Sequence, residues 1–105
     1  MTQFSRPGPQ LTDMLRRLRA RPVSSWGVGG REAAMRAALQ RLADLAADAS
    51  GSARRVVPDV GLAALPDQLA VLVADARRAG VSAGVLDGVL VDLGRALSVD
   101  GAGGC

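Results

Sequence analysis

Apolar residues recur with the period of an α-helix in four separate stretches of this chain. In the first, about 9–21, Leu11, Met14, Leu15 and Leu18 fall on one stripe between Pro9 and Pro22. Proline suits a first helical turn, where its missing N–H would have had no partner, and a second proline closes the element. The second stretch, about 31–49, carries Met35, Ala38, Leu39, Leu42, Leu45, Ala46 and Ala49, with Ser50-Gly51 as its stop. The third, about 66–79, presents Leu65, Leu69, Leu72, Val73, Ala76 and Ala79 and ends at Gly80. The fourth, about 83–97, follows a capping Ser82 and presents Val85, Leu86, Val89, Leu90, Leu93 and Leu97.

The stretches between these stripes read as connections. Val23 to Gly30 is rich in serine and glycine around Trp26, and Gly51 to Gly61 holds a Pro58-Asp59 turn. Val56 and Val57 suit a short extended piece, but one isolated strand has no ladder to join. The pattern therefore predicts an all-α fold, a small four-helix bundle-like domain over 9–99. Flexible tails are expected at 1–8 and 100–105.

Composition supports a single packed domain. Of 105 residues, 49% are apolar and 22% charged, a balance that favours one folded core over a disordered chain. No apolar run approaches the ~20 residues of a membrane span, and the N-terminus offers no apolar leader segment, so a cytoplasmic protein is expected. All 13 basic residues are arginine, and lysine, isoleucine, asparagine, tyrosine and histidine are absent. That usage points to a GC-rich coding genome of bacterial type, so arginine is weak support for phosphate recognition. Charge is divided unevenly: residues 1–55 carry ten arginines against four acids (+6), and 56–105 carry three against six (−3). Internal matching between the halves is the preferred reading, with a basic face for a partner as the alternative.

Candidate chemistry is sparse. Without histidine and with one cysteine, Cys105, zinc sites, disulfide frameworks and histidine-based triads are excluded. Nine of the ten acids are aspartates scattered singly along polar helix faces, with no histidine or lysine to complete an acid–base pair. The expectation is a protein that is not an enzyme, with no cofactor, metal or small-molecule substrate. Cys105, beside Gly103 and Gly104, is read as an inert thiol.

Residues 76–90, ARRAGVSAGVLDGVL, resemble the helix-turn-helix of lactose-repressor-type DNA-binding proteins over about 72–91. Ala76 matches the small residue of the first helix, Gly80 the turn glycine, and Ser82 the cap of the recognition helix. Val81, Leu86 and Val89 match the apolar positions that seat that helix. The resemblance implies DNA binding through the second helix of the motif. Arg16, Arg17, Arg54 and Arg55, outside the matching segment, are the candidate phosphate contacts on that reading. The sequence departs from the family at Asp75, usually apolar. It departs also on the outward face, where Ala83, Gly84, Asp87, Gly88 and Val91 offer no base-reading donor.

The same outward face supports another expectation. At about 100° per residue, Gly84, Gly88, Val91 and Arg95 fall together, opposite the apolar stripe. Glycine inside a helix costs about 0.5–1 kcal/mol relative to alanine, and two on one face let another backbone approach closely. The sequence thus predicts an interaction or accessory protein, taking a protein partner or a second copy of itself through the last helix. Trp26, in the loop before the second helix, is read first as a lid over one end of the bundle, with a partner-facing anchor as the functional alternative. Membrane-surface binding by the basic first helix is a third possibility, and core use of its stripe is preferred.

Overall fold

The four apolar stripes close over one another as four helices. The computed structural model describes residues 9–22 and 30–102, with side chains over 11–22 and 30–97. Among the described residues run α1 (Pro9–Ala20), α2 (Arg31–Ser50), α3 (Leu65–Ala79) and α4 (Ala83–Ala102), with a 3-10 turn at Leu62–Ala64 leading into α3. No strand occurs among the described residues, and Val56 and Val57 lie in irregular backbone. The fold is all-α.

Helix ends follow from local chemistry. α2 and α3 finish in the same motif, in which a left-handed glycine turns two amide N–H groups back onto orphan carbonyls. Gly51 (φ 74°) donates to the Asp48 carbonyl at 3.3 Å while Ser52 donates to that of Ala47 at 2.8 Å. Gly80 (φ 102°) donates to Arg77 at 3.1 Å while Val81 donates to Ala76 at 3.0 Å. α3 begins at Leu65, with Pro66 in its first turn. α4 runs on to Ala102, past the end expected near Leu97. No proline follows it, and Gly101 weakens a helix without breaking it.

Packing puts α2 against both α3 and α4, with α1 lying across α3 and α4. Leu11, Leu15 and Leu18 of α1 join Met35, Leu39 and Leu42 of α2, Leu65, Leu69 and Val73 of α3, and Leu86 to Leu97 of α4 in one buried cluster. No polar or charged residue is buried among the described ones. Each such side chain contributes about 1.5–3 kcal/mol, so apolar burial holds the helices together. Three stripe members fall outside the core. Ala49 is exposed on the last turn of α2, Ala79 is half-exposed at the end of α3 and joins no core contact, and Val85 stands beyond the arc of Leu86, Val89 and Leu93.

Candidate functional site

The outer face of α4 has the geometry its spacing predicts. Gly84, Gly88, Val91 and Arg95 are all exposed, on the side away from the buried Leu86, Val89, Leu90, Leu93 and Leu97. A Cβ at Gly84 or Gly88 would meet nothing within 4 Å, so that backbone is open to approach. Val85 and Asp87 flank the face on its two sides, and Val85 is 42% and Val91 39% exposed. Gly94, by contrast, faces inward: a Cβ there would stand 3.5 Å from Met14 Cε, so this glycine belongs to the α1–α4 contact. Trp26, the other candidate anchor, lies outside the described residues, as does Cys105.

The segment that resembles a helix-turn-helix is built as two helices around a tight turn. Ala76, Leu86 and Val89 are buried and Val81 is half-buried. Ser82 caps α4 twice over: its Oγ accepts the Val85 N–H at 3.3 Å and its carbonyl accepts the Leu86 N–H at 3.1 Å. Outward, Ala83, Gly84, Asp87, Gly88 and Val91 are exposed and offer one carboxylate and no side-chain donor.

The arginines named as backbone contacts sit on two elements and differ in state. Arg16 and Arg17 both reach Asp13 on α1, at 3.0 and 3.5 Å. Arg54 holds Asp48 through two hydrogen bonds of 3.0 and 2.6 Å. That pairing holds the Asp48 carboxyl below its ordinary value and raises the Arg54 guanidinium. The basic and acidic halves of the chain meet in Arg19–Asp67 (2.8 Å), Arg36–Asp59 (3.0 Å) and Arg41–Asp92 (3.5 Å). Much of the charge asymmetry is therefore matched internally. Among the described side chains, Arg55, Asp87 and Arg95 stand without an ion pair.

A second surface, not foreseen from the pattern, lies between α2, the connector at 51–61 and α3. It arises because side-chain amides pin the connector's backbone. Gln40 Nε2 donates to the Arg55 carbonyl at 2.8 Å while its Oε1 accepts the Val57 N–H at 3.0 Å. Gln68 Nε2 donates to the Pro58 carbonyl at 3.0 Å, and Arg36 reaches Asp59 at 3.0 Å. With the backbone held down, valines stand up: Val56 is 85% and Val71 58% exposed. Between them runs an apolar groove of about 420 Å³, lined by Ala43, Val57, Pro58 and Leu72 as well, with Arg55 and Asp67 as its charged members. The available signal was Val71, an apolar residue off the inner stripe of α3, together with two valines in a connector.

No protein-family model matches the chain, and no curated protein or solved structure matches it either.

Proposed function

We propose that the protein is a non-enzymatic helical interaction module that self-associates, or takes a protein partner, through the outer face of α4. One observation carries this reading: Gly84, Gly88, Val91 and Arg95 share a single open face with no side chain over either glycine. Glycines within a helix cost about 0.5–1 kcal/mol each relative to alanine, a cost offset where a second backbone packs against them. No described helix is long and apolar enough to cross a membrane. We place the protein's work in the cytoplasm.

Light scattering on the eluting full chain tests this. The wild type should move from monomer to dimer as concentration rises, and Gly88→Leu, which fills the open face, should stay monomeric. A wild type that remains monomeric at high concentration, with no partner lost on Gly88→Leu, rejects the reading.

A DNA-binding regulator is the second reading, favoured by the buried seat of Ala76, Leu86 and Val89 beneath a Ser82-capped helix. It would need phosphate contacts from Arg16, Arg17, Arg54 and Arg55, of which Arg55 alone lacks an acidic partner. Absence of duplex binding at about 50 mM salt removes it.

A further inference from the structure

We infer that the groove between α2, the connector and α3 is the receptor for the α4 face of a second copy, with Arg55 of one copy meeting Asp87 of the other. The inference rests on the proposed self-association through α4 and names the surface that receives it.

Two features of the isolated chain support the pairing. The first is apolar. Val56 and Val71 stand exposed on the groove's walls, and Val85 and Val91 stand exposed on α4. Gly84 and Gly88 leave the α4 backbone bare between those valines, so the helix can settle deep between the walls. The second feature is charge. Of the described ionic side chains, nearly all are held by a neighbour, and the exceptions divide between these two surfaces: Arg55 in the groove, Asp87 and Arg95 on α4. The groove's lining thus offers one unheld cation, Arg55, since its Asp67 is already taken by Arg19, and the α4 face offers the unheld carboxylate of Asp87. Opposite charges across an interface set register and select the partner.

Each copy carries both surfaces. Where the groove and the α4 face of one copy meet its partner together, a two-fold arrangement makes the contact twice, Arg55 of each copy against Asp87 of the other. Burying four exposed valines from each copy supplies the apolar core of the interface, while the ion pairs lie at its rim.

The test is a charge exchange in the full chain, read by sedimentation. Wild type, Arg55→Asp, Asp87→Arg and the double variant are compared at one salt concentration, with circular dichroism to verify helicity. Both residues are exposed and unpaired, so neither change removes a contact of the fold. Each single reversal should raise the dimer dissociation constant about tenfold or more, and the double variant should return it to within about threefold of wild type. A third variant, Val71→Glu, should weaken the dimer in the same way at unchanged helicity. Single reversals without effect, or a double variant no tighter than the singles, overturn the pairing. If the dimer ignores these changes but is lost on Gly88→Leu, the groove is wrong and the α4 reading survives. A wild type that never dimerises overturns both.

Discussion

α1 and the connector at 51–61 both lie against the other helices, and they are held by opposite means. α1 is fixed by apolar side chains: Leu11, Leu15 and Leu18 are buried, and Met14 packs at Gly94. Its charged groups work at the edge, with Arg19 reaching Asp67 across to α3. The connector is held mainly by polar groups. Its main chain is fastened by Gln40 and Gln68 and its Asp59 carboxylate by Arg36; Val57 rests half-buried against the core, while Val56 and Val60 point into solvent. Apolar burial positions a helix by consuming its apolar surface; polar fastening positions a segment and leaves that surface free. The groove exists because the connector is of the second kind.

Removing apolar packing from α1 should produce the largest effect. Leu18 is 2% exposed, and Leu18→Ala should lower the stability of the chain by about 2–5 kcal/mol in denaturant titrations. The upper part of that range applies if the cavity cannot collapse. A loss below about 1 kcal/mol would mean that α1 is not part of the cooperative core, and the contrast would fail on that side.

Unfastening the connector should cost less and act more locally. Gln40→Ala removes the donor to the Arg55 carbonyl and the acceptor of the Val57 N–H, and should cost about 1–3 kcal/mol. Amide hydrogen exchange separates it from the Leu18 variant: the Val57 N–H should lose protection while amides within α2 and α3 keep theirs. Uniform loss of protection through α3 would show that the connector and the core unfold as one unit.

The same contrast explains what was legible in the sequence. Helical stripes are local patterns, so α1 to α4 and every buried leucine of the described residues could be read from spacing alone. Val71 already broke the pattern, since it lies off the stripe of Leu65, Leu69, Val73 and Ala76. What spacing cannot express is a side-chain amide bonding a backbone 15 or 17 residues away, as Gln40 does to Arg55 and Val57. The groove depends on that bond, so its position was hidden even though its valines were visible. The α4 face was accessible because glycine spacing within one helix is local; its proposed counterpart on the connector was not. Asp87 and Arg55 illustrate the same limit: that each lacks a partner follows from where every other charge has gone.

The smallest effect concerns protons. At the start of the connector, Arg54 donates two hydrogen bonds to Asp48, and chiefly for that reason the carboxyl titrates below its ordinary value of 3.8. A carboxyl whose value is lower folded than unfolded adds stability above its unfolded value and loses that contribution as pH falls through the folded one. The Asp48 contribution should therefore be complete above about pH 5 and gone once both states are protonated. The carboxyl resonance of Asp48 should show a midpoint below 3.8, and Arg54→Ala should return it towards 3.8. Because the pair is exposed to solvent, its effect on global melting should be slight and should shrink further in salt. The Leu18→Ala loss, by contrast, should be the same on either side of that titration, since no ionising group is removed. An Asp48 midpoint unmoved by Arg54→Ala would detach this pair from the fastening of the connector, leaving the glutamine amides and Arg36 to hold it.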